Sequence, residues 1–271
     1  MKVKFFYNDQ IRFDVDCKSP TEVYIDRIKR ERVPKGLIRI VILEEPRKGL
    51  SYRLVRKFPH FYSYLLTFHE ELITNSRTKR FLIMKPWITN YQFKEKEFSI
   101  STVVGGKSDF NMEGYALRHN LWRNRERITI PRKFYLSGNA KHWHTFVPWT
   151  EANYNGELVL GNSKEPLFDS MFHIAIESTS IKNYFSEKIL DCFQTKTVPV
   201  YYGCRNMENY FNTAGMFRVS NIDEMVEVCN QLTPEIYERM QPALEDNYQR
   251  SMAWCSPKQQ VEDAIKAIVN G

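Results

Sequence analysis

A chain of 271 residues can bury a sizeable core, as one large α/β domain or two small ones, and 42% hydrophobic with 26% charged residues excludes a disordered chain. A formal charge of +7 favours an anionic partner, whether small ligand, nucleic acid or acidic surface, and composition does not choose among these. Five scattered cysteines (Cys17, Cys192, Cys204, Cys229, Cys255) show no Cys-x-x-Cys spacing and read as reduced thiols, not a zinc site or disulfide frame.

In chain order, Val3 to Tyr7 reads as a first edge strand and Thr21 to Lys29 as an amphipathic turn or helix. Leu37 to Leu43 is a strong buried strand that ends in Glu44-Glu45-Pro46, two carboxylates at a strand's carboxyl end. Tyr62 to Phe68 and Phe81 to Met84 are further strands, with a helical turn at His69 to Leu72. Polar Asn90 to Glu97 marks the domain junction, so residues 1–95 form an N-terminal domain and residues 96–271 a C-terminal one. Phe98 to Val104 opens a second α/β series through the Gly105-Gly106-Lys107 connection, a helix over Met112 to Arg123 and a strand at Phe134 to Leu136. His142 to Gly156 reads as an aromatic-rich loop. Its His142 and His144 alternate in an extended segment, but no carboxylate or cysteine beside them completes a metal set.

The densest pattern follows. Phe172 to Ile176 is a short buried strand, Ser186 caps a helix whose apolar positions are Ile189, Leu190 and Phe193, and Val198 to Tyr202 is a strand closed by Gly203. Strand, helix and strand this close together make a right-handed βαβ unit. Glu177, Tyr184, Glu187 and Lys188 therefore gather at a strand's carboxyl end and a helix N-terminus, where open α/β sheets bind anionic ligands. Taken alone, Glu187 is a first-turn charge favouring the helix dipole and Lys188 a solvated lysine. Beyond this unit, Ser220 to Asp223 has the form of a capping box, Thr233-Pro234 starts a helix through Arg250, and Pro257 to Val269 is the last helix.

This stretch resembles the donor-binding signature of the α1,3-fucosyltransferases. Glu177, Tyr184, Ser186 (for Thr), Glu187, Lys188, Thr197, Pro199, Val200 and Gly203 fall in the family's order and spacing. Ser178 stands where the family has Asn, and Lys196 where it has Gly. Upstream, Glu44-Glu45-Pro46 matches the family's Glu-x-Pro, Arg118 its phosphate-binding arginine, and Lys107 can join that arginine.

The resemblance implies a GT-B fold, two Rossmann-like domains facing across a cleft, the N-terminal one short. It implies an inverting, metal-independent glycosyltransferase that takes GDP-fucose and an oligosaccharide or glycoprotein acceptor. Glu44 or Glu45 would be the base, with Glu70 and Glu71 as second choices. Arg118 and Lys188, with the helix end at Ser186, would stabilise the departing diphosphate. Glu187 would hold ribose hydroxyls, Tyr184 pack on the donor, and Glu177 contact the donor sugar or orient its loop. Phe146, Trp149 and Tyr154 stack on an acceptor sugar or fill the core. Two alternatives stay open: another donor such as UDP-xylose on the same frame, and a non-catalytic protein binding nucleic acid or anionic glycan through the basic run Arg118, Arg123, Arg125, Arg127, Arg132 and Lys133. The first residues turn polar too soon for a signal peptide, and no apolar run approaches the ~20 residues of a membrane helix, so a cytoplasmic location is expected.

Overall fold

The computed structural model describes residues 4–6, 19–84, 86–88, 90–107, 109, 111–137, 158–159 and 163–269. The chain divides into two compact units. The first takes the chain through Lys85, Lys182–Tyr184, and the chain from Ser256 onward; the second takes Pro86–Ile181 and Phe185–Cys255. This differs from a simple cut after residue 95: the junction falls ten residues earlier, and the last helix returns to the first unit.

The reason for that return lies in the first sheet. Five parallel strands, β1 (Lys4–Phe6), β2 (Thr21–Ile25), β3 (Ile38–Leu43), β4 (Tyr64–Thr67) and β5 (Thr78–Arg80), lie side by side in chain order. Right-handed crossovers between strands in sequential order all cross the same face, so the other face needs a cover from elsewhere. The residues of β3 alternate between the two sides. Val41 and Leu43 pack with Tyr52 and Val55 of α1 (Leu50–Lys57), the helix between β3 and β4. Ile40 and Ile42, with Val23, Ile25 and Leu66, pack against Val261, Ile265 and Ile268 of the C-terminal helix Pro257–Val269.

Two expectations for this unit are corrected. Thr21 to Ile25 is a strand rather than a helix, because its residues, β-branched at Thr21, Val23 and Ile25, all pair with β3, and Glu22 to Tyr24 pair with β1 as well. The strand near residue 80 is Thr78–Arg80, not Phe81 to Met84. Leu82 and Met84 are buried without strand pairing, while polar Lys79 and Arg80 suit the sheet's exposed edge. Helix α1 gave no strong sequence signal, since only Tyr52 and Val55 of its eight residues are buried.

The second unit is a six-stranded parallel sheet built from β6 (Glu97–Val104), β7 (Arg132–Leu136), β8 (Leu158–Val159), β9 (Ser170–Ile176), β10 (Val198–Tyr202) and β11 (Phe217–Arg218). Their spatial order is β11-β10-β9-β6-β7-β8. The chain thus steps outward from β6 to β8, then returns to the other side of β6 for β9 through β11. This is the doubly wound order, and its switch point lies between β6 and β9. Helices α2 (Glu113–Asn124), α3 (Glu187–Gln194), α4 (Ile222–Gln231) and α5 (Pro234–Met252) complete the unit. Ile189 to Gln194 of α3 are all buried. Thr233 caps α5 as expected, whereas α4 is capped by Asn221 rather than Ser220, with Glu224 reaching back to the Ser220 N–H. Cys192, Cys204, Cys229 and Cys255 are free thiols. Among the described residues, no helix is long and apolar enough to cross a membrane.

If the C-terminal helix seals the open face of the first sheet, Ile265→Ala should lower stability by about 2–5 kcal/mol. Urea denaturation checks this; a loss under about 0.5 kcal/mol would show the face is not closed by that helix.

Candidate functional site

The loop from β9 to α3 is organised by one carboxylate. Glu177 follows the last residue of β9 and is fully buried. One of its oxygens accepts the Ser186 N–H at 2.8 Å and the other accepts the Ser186 hydroxyl at 2.7 Å. Burial holds the Glu177 carboxyl above its ordinary range, against the pull of nearby Lys188. Both of its oxygens are thus bonded to Ser186, at the far end of the loop.

Ser186 in turn caps α3. Its hydroxyl oxygen accepts the Lys188 N–H at 3.4 Å and Lys188 Nζ at 3.0 Å. Lys188 Nζ also donates to Glu187 at 2.8 Å and lies 3.8 Å from Glu177. Burial works against the Glu187 charge, yet Lys188 and Lys164 hold its carboxyl down to about 2.

Two glycines make room for this arrangement. A Cβ on Gly203 would stand 2.3 Å from the Tyr201 hydroxyl and 2.5 Å from Glu177 Cγ. A Cβ on Gly114, in the first turn of α2, would lie 1.8 Å from the Glu177 carbonyl oxygen, and the Gly114 N–H donates to Ser178 O at 2.9 Å. That close approach brings Arg118 onto the end of β9. Its Nε and Nη2 both donate to the Ile176 carbonyl, Nε at 3.0 Å.

At the carboxyl ends of β6 and β9, beside the switch point, a cavity of about 320 Å³ opens. Its lining includes Lys107, Arg118, Lys188 and a fourth cation, Lys164. His173 also lines it; burial, then Lys164, push that imidazole down to about 3, and its Nδ1 lies 2.7 Å from the Ser101 hydroxyl. It is a neutral wall. Sequence reasoning missed Lys164, Trp87 and Asp191 here. Lys164 Nζ sits 3.6 Å from the centre of the Trp87 ring. Asp191, on α3, accepts the Trp87 and Ile88 N–H groups at 2.8 and 3.0 Å, and burial pushes its carboxyl up to about 7 despite them. No spacing rule joins residues 87, 164 and 191.

A second cavity of about 560 Å³ lies at the ends of β10 and β11, with Arg205 and Arg218 in its lining. Arg218 is engaged by Glu208 at 3.1 Å and by the Arg205 carbonyl at 2.7 Å. The smaller cavity is the better candidate because four cations converge there at the switch point.

The remaining expected residues fall as follows. Tyr184 is buried with its ring 5.1 Å from that of Phe68, and it is not part of the cavity's lining. Lys196 adopts a left-handed backbone, φ +52°, which accounts for glycine at that position in the family pattern. Its ammonium pairs with Glu245 at 2.6 Å, so this departure is a matter of backbone rather than of the cavity. In the first unit, Glu44 and Glu45 follow β3 as expected, and both their N–H groups donate to Asp26 Oδ1, at 2.9 and 3.1 Å. Asp26 ends β2 at φ +50°, and burial pushes its carboxyl up to about 6. Glu70 is paired with Arg80; Glu71 is bound by Tyr52 and Lys48, which overcome burial to hold it at about 2, a poor base.

Much of the basic run is paired at the surface by neighbouring groups. Arg125 donates to Trp122 O, Arg127 pairs with Asp223, Arg132 with Glu126, and Lys133 with Glu97. His142, His144, Phe146, Trp149 and Tyr154 lie outside the described residues. So does the chain's one Asp-x-Asp sequence, Asp14-Val15-Asp16. Among the described residues, no group of three His, Cys, Asp or Glu is placed to hold a metal ion.

No family model matches the chain. Over 147 residues it is 27% identical to the α-(1,3)-fucosyltransferase FucT of Helicobacter pylori, a match spanning 52% of this chain and 29% of that protein. The chain therefore spans under a third of that relative's length. Its fold matches a crystal structure of an α1,3-fucosyltransferase with a TM-score of 0.55 at 15% identity, over 92% of this chain and 78% of the other. An α1,3-fucosyltransferase with GDP gives 0.53 at 16% identity, over 98% and 80%. TarM gives 0.57 at 9% identity, over 91% and 54%. The chain is similar in sequence to an α1,3-fucosyltransferase over about half its length, and its fold is GT-B. The glycine at position 203, shared with the α1,3-fucosyltransferase pattern, has a direct physical reason here, the Glu177 side chain.

Two predictions follow from the packing around the β9–α3 loop. Gly203→Ala should destabilise the protein by about 1–3 kcal/mol, read from its urea midpoint, because Glu177 and Tyr201 have nowhere to move. An unchanged midpoint would refute the tight contact. For Asp191, the folded carboxyl titrates near 7 against an ordinary value of 3.8, so the folded chain holds a proton the unfolded chain has lost between these limits. Its contribution to stability therefore falls as pH rises through that window. Asp191→Asn keeps an acceptor for the two N–H groups, and its Tm should match wild type near about pH 4 and exceed it increasingly towards about pH 8. A constant offset across that range would overturn the assignment.

Proposed function

We propose that this chain transfers a sugar from a nucleotide-diphosphate donor to a hydroxyl of a glycan acceptor, with inversion and without a metal ion, and that GDP-fucose is the donor. The observation that carries this reading is the meeting of Lys107, Arg118 and Lys188 in one cavity at the switch point of a doubly wound sheet. Such a point, beside a helix N-terminus, is where α/β sheets bind phosphates. As the bond to the anomeric carbon breaks, negative charge grows on the leaving diphosphate, and fixed cations stabilise it most in that state.

Within this reading Glu187, at the first turn of α3, takes ribose hydroxyls. Glu177 fixes the loop through Ser186, and Tyr184, packed on Phe68, braces that loop instead of stacking on the donor. Glu44 removes the acceptor's proton, with Glu45 as its neighbour in the same Asp26-bound turn. Ser178 in place of the family's Asn supports a second reading, a different sugar such as xylose on UDP. The binding-protein reading is the weaker one, since several members of the basic run already have acidic partners on the surface.

Thermal denaturation with GDP, GDP-fucose, UDP and UDP-xylose, each with and without EDTA, tests the donor. GDP and GDP-fucose at a hundredfold excess over Kd should raise Tm by about 5–10 °C, indifferent to EDTA. A shift with UDP compounds alone moves the donor, loss of the shift in EDTA overturns metal independence, and no shift at all overturns the proposal. With an acceptor in hand, Glu44→Gln should lower kcat about a hundredfold or more while leaving GDP affinity unchanged. Equal loss of turnover and affinity would remove Glu44 as the base.

A further inference from the structure

We propose that Lys164, seated on the face of Trp87, is a diphosphate-binding cation of the switch-point cavity, and that the indole fixes its ammonium there. This rests on the nucleotide-diphosphate reading above but concerns residues that are not among those that carry the family resemblance.

The ammonium's surroundings single it out. Lys94, Lys133 and Lys196 each meet a carboxylate at 2.5–2.6 Å. Among the described residues, Lys164 has no ion pair of that kind; its close partner is the Trp87 ring at 3.6 Å. Burial lowers its pKa, and the more distant carboxylates Glu187 and Asp191 only partly oppose that. A desolvated cation on an aromatic face is held in place, yet its charge is not neutralised.

The seat itself is anchored. The Trp87 and Ile88 N–H groups both donate to buried Asp191 of α3, the helix that also carries Lys188. Trp87 is 62% exposed, unusual for an indole, and lines the same cavity. Lys107, Arg118, Lys164 and Lys188 therefore border a space of about 320 Å³, in which Lys188 is already paired with Glu187 and Arg118 with a carbonyl. Lys164 is the cation there that is held on an aromatic ring, with carboxylates acting on it only from a greater distance. A multiply charged anion the size of a diphosphate matches this set of cations.

Isothermal titration of the whole chain with GDP and, separately, with inorganic pyrophosphate tests this at fixed ionic strength. Lys164→Met should weaken both ligands about tenfold or more, the scale of one charge-assisted hydrogen bond, while Lys164→Arg keeps most of the affinity. Trp87→Phe should bind close to wild type. Trp87→Ala should weaken binding, and adding it to Lys164→Met should cost little more, because the two act as one unit. Unfolding curves of each variant show that the fold is kept, and Lys164→Gln serves if the Met variant misfolds.

Unchanged affinity of the Met variant for both ligands overturns the role of Lys164. Additive losses in the double variant overturn the role of Trp87 as its seat. Pyrophosphate binding that is lost in the Met variant, in a chain that binds no nucleotide, upholds Lys164 and overturns the nucleotide-sugar reading. A wild-type chain that binds neither ligand overturns both.

Discussion

The second unit depends on a buried carboxylate that accepts two hydrogen bonds from one serine. Glu177 is out of contact with water, so leaving its oxygens unpaired would be costly, and Ser186 supplies both donors. Because Ser186 also caps α3, the strand end, the loop and the helix start are fixed together. Gly203 and Gly114 follow from this, since any side chain at either would strike the Glu177 residue. The close approach at Gly114 then delivers Arg118 to the end of β9. Cavity and cations are consequences of that packing.

The first unit solves a different problem. A parallel sheet has two apolar faces, and a sequential strand order leaves one of them without its own crossovers. The chain covers it with its last helix, which sets Val261, Ile265 and Ile268 against β2, β3 and β4. At the carboxyl end of this sheet the Glu44-Glu45 turn is held by a single Asp26 oxygen. Asp26 takes a left-handed backbone so that its side chain can reach both amides.

Charge is distributed by position more than by number. The chain carries +7, yet many of its arginines and lysines close strand ends, cap helices or pair across the surface. The cations that gather at the switch point differ because the sheet brings them to one concave place with few carboxylates. Lys188 retains an acidic neighbour in Glu187, whereas Lys164 has an aromatic ring. This contrast separates a binding surface from a merely basic one.

The sequence by itself determined the βαβ unit, the Ser186 cap, the carboxylates after β3, and the resemblance that joins them. Each of these depends on residues close together in the chain, where apolar periodicity and capping chemistry act directly. It also determined which positions depart from the family, but not why: Lys196 departs over a backbone angle and a surface ion pair. Only the tertiary structure decided that Thr21 to Ile25 is a strand, that the last helix belongs with the first sheet, and that Glu177 faces Ser186. It alone brought Trp87, Lys164 and Asp191 together. Those outcomes rest on contacts between distant segments, where pairing and burial override local preference and no spacing in the sequence records the meeting.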